Sequence, residues 1–267
     1  MLGKLLKYEI RSTTRTFPLL YFAILLFALI NRLISPFENV GNSIVVSIDT
    51  FGFFNIIQMV SGLAYFGLVV AVIALTFIIM IQRFYKNILG DEGYLMFTLP
   101  VKPWQLIISK LLVSLLWIVL SFITIVSSIL ILLNIDNLFG QLKQALDTAR
   151  TFLGDGLLIL IPIIALLLSA YFIMTVYNAL SIGHTFQKQK ILASFGAYGV
   201  IYVIKQIVSS ILALLFFRRF AVLSEPSMIT PSQITTLLIS VASIYALLGI
   251  ANFIVANYVL NKKLNLE

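Results

Sequence analysis

Few side chains in this sequence of 267 residues could carry out catalysis, since it contains one histidine, His184, and no cysteine. A catalytic zinc site needs about three protein ligands, and no H-E-x-x-H helix is present, so no metal site is predicted. A P-loop is also missing, because the only glycines with the required spacing, Gly62 and Gly67, are followed by Leu68. We therefore expect no ATP hydrolysis, dinucleotide binding or metal chemistry in this chain, and we interpret His184 as a solvated residue.

Acidic residues are absent from the long apolar runs of the sequence. Ion-coupled transporters often place a carboxylate at membrane depth, and intramembrane aspartyl proteases need a pair of them. All 10 Asp and Glu residues fall in predicted loops or termini. If the chain moves a solute, we expect the energy to come from another subunit.

Lys205 is the charged residue that lies deepest in an apolar run. It lies about 20 Å along the helix axis from the start of the run 191–217, which is too deep for its side chain to reach the membrane surface easily. Its ammonium must then face water, backbone carbonyls, Asn or Gln side chains, or an anionic ligand. Either Lys205 lines a transport pathway, or its span is broken or displaced so that it lies near an interface. The neighbouring small residues predict close helix association: Ala193, Gly196, Ala197 and Gly199.

The elements that must position these residues are apolar helices. The composition is 61% hydrophobic and 10% charged, and the mean hydropathy is +1.08, values that exclude a soluble enzyme, a secreted disulfide scaffold and a disordered chain. Six runs reach the roughly 20 residues that a membrane span needs, without the alternation of β-barrel strands. We predict an all-α membrane protein, one transmembrane domain over 1–267, with spans at about 17–34, 62–81, 106–133, 157–180, 191–217 and 234–260.

The charge distribution predicts the orientation of these spans. With the N-terminus in the cytoplasm, twelve of the 18 Lys and Arg residues lie inside, five lie outside, and Lys205 lies in a span. The positive-inside rule thus favours a multi-pass plasma-membrane protein with both termini cytoplasmic. The formal net charge of +8 is a topology signal, and we expect no nucleic-acid partner.

Two segments outside the spans have helical periodicity. In residues 1–16, apolar positions recur on one face and Lys4, Lys7, Arg11 and Arg15 on another, which predicts an amphipathic helix along the inner membrane surface and a bend at Pro18. A frayed basic terminus is the alternative. Residues 134–156 predict an external amphipathic helix, and residues 44–57 a second external element. Short surface loops are the alternative for both segments.

The inner loop between the second and third spans is the most informative segment. Asp91 can cap a short helix with Tyr94, Leu95 and Phe97 on its apolar side, which Pro100 ends. Pro103 suits the first turn of the next helix. A short cytoplasmic helix tied to two spans offers a docking surface for a soluble partner.

This region resembles the coupling-helix region of bacterial type-2 ABC transporter permeases. The resemblance rests on the run GDEGYLMFTLPVKPWQLIISK, residues 90–110, an acidic-glycine element followed by a TLPV turn and a helix that leads into the third span. The N-terminal basic helix, the six predicted spans and the chain length agree with it, so the likeness extends over the whole chain.

The resemblance implies a permease that dimerises, with itself or a paralogue, and binds two separate cytoplasmic ABC ATPase subunits. Those subunits, and no site in this chain, would bind ATP and Mg. Carried over, the ATPase-coupling element is Gly90, Asp91, Glu92, Gly93, Tyr94, Leu95, Met96 and Phe97. The loop with His184, Phe186 and Lys188 is a candidate second cytoplasmic contact, and Lys205 a candidate pathway residue. Family members export amphipathic peptides such as bacteriocins and toxins, or drugs and lipids, and the apolar outer elements favour peptides.

Two other classes of function remain open at this point. An ATP-independent secondary transporter or channel would drive flux without any ATPase. A non-transport immunity or sensor subunit would use the same inner loop only to recruit a partner. The second class predicts protection from a peptide without efflux.

Overall fold

The computed structural model describes residues 2–34, 53–90, 93, 101–132, 138–186, 188–221 and 231–262. These residues are almost entirely helical, and no β-strand occurs among them. The helices are α1 (Leu2–Thr13), α2 (Phe17–Ile34), α3 (Phe53–Phe84), a π-helical turn (Tyr85–Leu89), α4 (Pro103–Leu132), α5 (Leu138–Gly183), α6 (Lys190–Ala221) and α7 (Pro231–Lys262).

Five stretches of these helices are long and apolar enough to cross a membrane, and α1 with Phe17–Arg32, bent by 47°, makes a sixth if the pair is one span. In Lys190–Leu214, no residue of the tested apolar window is buried within the protein. Apolar side chains that face outward over whole helices need lipid as their solvent. The prediction of an all-helical membrane protein is confirmed, with five to six candidate spans.

Two compact units make up the chain. The first contains residues 1–2, 81–111 and 144–267, and the second residues 3–80 and 112–143.

The second unit is held together around Trp117 of α4. Its indole stacks on Phe17 of α2, with ring centroids 4.2 Å apart and an interplanar angle of 11°. The indole N–H donates to Thr13 Oγ1 over 2.9 Å, and the Tyr21 hydroxyl donates to the Trp117 carbonyl over 3.1 Å. Thr76 of α3 lies 3.0 Å from Ser121 Oγ. These contacts satisfy polar groups that lipid could not, and they join α1, α2, α3 and α4.

The N-terminal segment is an ordered helix, so the helical prediction is confirmed and the frayed alternative is wrong. Lys4, Lys7 and Arg11 of α1 are exposed, whereas Glu9 and Thr13 are buried. A turn over residues 14–16 separates α1 from α2, and Pro18 follows in the first turn of α2, where its missing N–H costs no helical hydrogen bond.

The helical run α5 is interrupted at Gly154, whose φ of 77° and ψ of 157° lie outside the helical region. Glycine tolerates this positive φ because it has no Cβ. The predicted helix within residues 134–156 is therefore confirmed from Leu138 onwards as a segment distinct from the span that starts at Gly156. Of the second predicted external element, residues 44–52 lie outside the described residues, and Phe53 already begins α3.

Candidate functional site

A cavity of about 690 Å³ lies in the first unit, between α5, α6 and α7. Its volume falls in the range of small-molecule sites, roughly 300–1,000 Å³. Aliphatic side chains form most of its wall, and the polar lining consists of Lys205 of α6, Asn178 and Tyr171 of α5 and Asn252 of α7.

Lys205 lies in an unbroken stretch of α6 and is half-buried at this cavity. Its ammonium lies 4.9 Å from the ring centroid of Tyr202 and 6.0 Å from that of Tyr245. Both rings can therefore stabilise the charge through cation–π attraction. No acidic residue occurs within 156–221 or 231–262, so these stretches of α5, α6 and α7 offer the ammonium no carboxylate. The interpretation in which the helix breaks at Lys205 is wrong, since α6 is continuous there.

The two asparagines of the cavity form one end of a hydrogen-bond chain. Asn178 Nδ2 donates to Asn252 Oδ1 over 2.8 Å, and Asn252 Nδ2 donates to Thr175 Oγ1 over 3.2 Å. Thr175 Oγ1 in turn donates to the Tyr171 carbonyl over 2.9 Å. The chain leaves Asn178 Oδ1 without a hydrogen-bond partner, although Asn178 is only 3% exposed. A buried acceptor of this kind costs free energy until a donor reaches it.

The small residues of α6 contribute open space to this cavity and do not pack closely. Ala193, Gly196 and Ala197 line it, and a Cβ added at Gly196 or Gly199 would meet nothing within 4 Å. Within the described part of this chain, Gly196 and Gly199 therefore make no close helix contact, and association of this face with a second chain stays a prediction. Small side chains instead leave room between α6 and its neighbours.

The predicted ATPase-coupling element begins directly after the π-helical turn of the first unit. Gly90 N–H closes this turn on the Tyr85 carbonyl over 2.8 Å, and Gly93 N–H donates to the Gly90 carbonyl over 2.8 Å. Ile88 and Leu89 are buried, and Phe84 stacks on Tyr177 of α5 with centroids 3.9 Å apart. The turn therefore anchors the entry to the loop. The remaining predicted residues lie outside the described residues: Asp91, Glu92, Tyr94, Leu95, Met96 and Phe97.

His184 is buried, so its interpretation as a solvated residue is wrong. It is 3% exposed, its ring meets Tyr85 edge to face at 5.0 Å, and its Nδ1 lies 3.0 Å from the Leu180 carbonyl. Burial lowers the pKa of His184 below the usual 6.5, and the positive charge of Lys190 lowers it further, against the opposing effect of the Leu180 hydrogen bond. Its ring therefore supports the junction of α5 and the π-helical turn.

Phe186 and Lys188 of the α5–α6 turn are accessible. Phe186 is 54% exposed and also lines the cavity, and Lys188 is exposed. The turn is tight because Gly183 approaches Ser194, and a Cβ on Gly183 would lie 2.5 Å from Ser194 N. Both accessible side chains remain candidates for a second contact with a partner.

Sequence reasoning found Lys205 but missed its neighbours in the cavity. Asn178, Asn252 and Tyr171 are polar or amphipathic residues in otherwise apolar runs, and this is the signal that could have selected them. Comparison with protein-family models, with curated proteins and with solved structures finds no match to this chain.

Proposed function

We propose that this chain is the membrane-spanning permease subunit of an ATP-driven ABC exporter. The observation that carries the proposal is the run 90–110, which resembles the coupling region of type-2 ABC permeases. It follows α3 and the π-helical turn and extends into the first turns of α4. The absence of a P-loop from the sequence gives a physical reason for a separate ATPase.

The proposed layout has six spans, with α1 as an interfacial helix and residues 90–97 as a cytoplasmic coupling helix. The chain lies in the plasma membrane with both termini cytoplasmic, and it pairs with a second permease copy or a paralogue. Its cargo is an amphipathic peptide or another amphiphile, and Lys205 lines the route.

The anchoring of the π-helical turn supports a coupling role for the loop that follows it. Phe84 and Ile88 are fully buried, and Phe84 stacks on Tyr177, so a pull on Gly90 is resisted by packing against α5. A docked ATPase that closes on ATP would move α3 and α5 together at this point, because packed cores transmit displacement.

Co-expression with the ABC ATPase of the same genome tests the proposal. Replacing Glu92, Tyr94 and Phe97 together with alanine should lower ATPase co-purification or uncouple hydrolysis from export, while Lys143→Ala, at an exposed position of α5, should do neither. Wild-type behaviour of the triple variant in both assays would refute the coupling role. Ion-driven flux in liposomes with this chain alone would identify a secondary transporter instead.

A further inference from the structure

Polar side chains line the cavity of α5, α6 and α7 at two levels, with aliphatic side chains between and beyond them. At the first level the Lys205 ammonium lies near Tyr245, whose ring meets Tyr171 edge to face at 5.0 Å. At the second level Asn178 pairs with Asn252. The asparagines follow these two tyrosines by seven residues on α5 and α7, which corresponds to about 10 Å along a helix.

Each level requires a different group from the molecule that occupies the cavity. The ammonium needs an anion, since α5, α6 and α7 carry no carboxylate within 156–221 and 231–262 and a cation in an apolar span is stabilised by an opposite charge. Asn178 lines the cavity and its Oδ1 is buried without a partner, so an N–H or O–H donor on the occupant would satisfy this acceptor once the amide rotates towards the cavity. The wall between them favours an aliphatic body.

We infer that this cavity binds an amphiphile that carries an anionic group at Lys205 and a hydrogen-bond donor at Asn178, joined by an aliphatic segment of about 10 Å. The inference goes beyond the transport proposal, because binding needs no ATPase and no flux. Exposed rim residues such as Val200 and Ile204, 61% and 53% exposed, leave the cavity open to a molecule that arrives from the membrane or from solution.

Three matched probes separate the two recognition elements. The probes are 10-hydroxydecanoate, which has both groups, decanoate, which has only the anion, and 1,10-decanediol, which has no charge. Titration calorimetry of the purified chain in a neutral maltoside detergent should rank their affinities in that order. A charged hydrogen bond to Lys205 should raise the affinity of decanoate over decanediol by about tenfold or more, and the hydroxyl should raise the affinity of 10-hydroxydecanoate over decanoate by about fivefold.

Single variants assign each difference to its residue. Lys205→Met should abolish the preference for decanoate over decanediol, and Lys205→Arg should keep it, which also guards against a folding defect in the methionine variant. Asn178→Leu should abolish the advantage of the hydroxyl while keeping the preference for the anion. Lys262→Met is the matched control, because Lys262 lies over a tyrosine ring, that of Tyr258, at 5.5 Å but does not line the cavity.

Native mass spectrometry of the chain purified without probe identifies the source of the ligand. A phospholipid retained by wild type and lost from Lys205→Met indicates a membrane lipid, and probe binding without retained lipid indicates a soluble amphiphile. Equal affinity of the three probes for wild type, or unchanged ranking in Lys205→Met, would overturn the inference. ATPase co-purification is unaffected by either result, so failure here is distinct from failure of the transport proposal.

Discussion

The approach of Gly183 to Ser194 makes a quantitative prediction about the α5–α6 turn. A Cβ on Gly183 would lie 2.5 Å from Ser194 N and 2.6 Å from Ser194 Cα, and closer still to its Oγ, whereas ordinary contacts begin at 3.4 Å. Two of these atoms are backbone, so α6 must move away by about 0.8 Å or more, because a packed interior has no free space to absorb the methyl group. We expect Gly183→Ala to lower the free energy of unfolding by about 3 kcal/mol, the upper end for overpacking.

Gly196→Ala is the matched control for this prediction. It lies inside α6 and its new Cβ meets nothing within 4 Å, so helix propensity alone should raise stability, by about 0.5–1 kcal/mol. Unfolding of both variants in mixed detergent, monitored by circular dichroism, measures whether the free energy of unfolding falls in Gly183→Ala and rises in Gly196→Ala. The reasoning is refuted if Gly183→Ala is as stable as Gly196→Ala. The double variant Gly183→Ala with Ser194→Gly should regain only the part of the lost stability that comes from the clash with the serine side chain.

Three further predictions concern other described residues. Burial lowers the pKa of His184, so the unfolded chain binds more protons than the folded chain near pH 6.5 and below. The free energy of unfolding should therefore fall as the pH drops through this range. An equal fall in His184→Gln, measured over the same pH series, would contradict this prediction. Trp117→Phe removes the hydrogen-bond donor to Thr13 but keeps an aromatic ring against Phe17. It should lower the free energy of unfolding in detergent by about 1 kcal/mol, and an unchanged free energy of unfolding would argue against this hydrogen bond. Gly154→Ala places a Cβ at a φ of 77° and a ψ of 157°, a combination that almost only glycine adopts, and should lower the free energy of unfolding by about 1–3 kcal/mol. An unchanged unfolding midpoint would argue against the positive φ.

Local sequence signals predicted the helices well because each depends on neighbouring residues. Long apolar runs predicted the spans, and the α1 periodicity predicted an amphipathic helix. Pro103 is the first residue of α4, as its fixed φ and missing N–H suggested. Lys205 could be recognised from the sequence because a charged residue within an apolar run is unusual whatever its partners are.

Contacts between distant residues could not be predicted in the same way. Asn178 and Asn252 are 74 positions apart, and only the packing of α5 beside α7 brings them together. His184 follows an apolar run and looked solvated, yet its burial depends on Tyr85, which a separate helical segment supplies. The small residues near Gly196 favoured close helix association, whereas the neighbouring helices of this chain leave open space beside them.

The direction in which the loop leaves α3 depends on the number of residues in the π-helical turn at Tyr85–Leu89. A π-helical turn accommodates one residue more than an α-helical turn. Deleting one residue here would let α3 continue as an α-helix and would rotate Gly90 and its successors by about 100° around the helix axis. Homologous chains that preserve the orientation of this loop should therefore tolerate substitutions at exposed positions such as Lys86 but not insertions or deletions within residues 85–89.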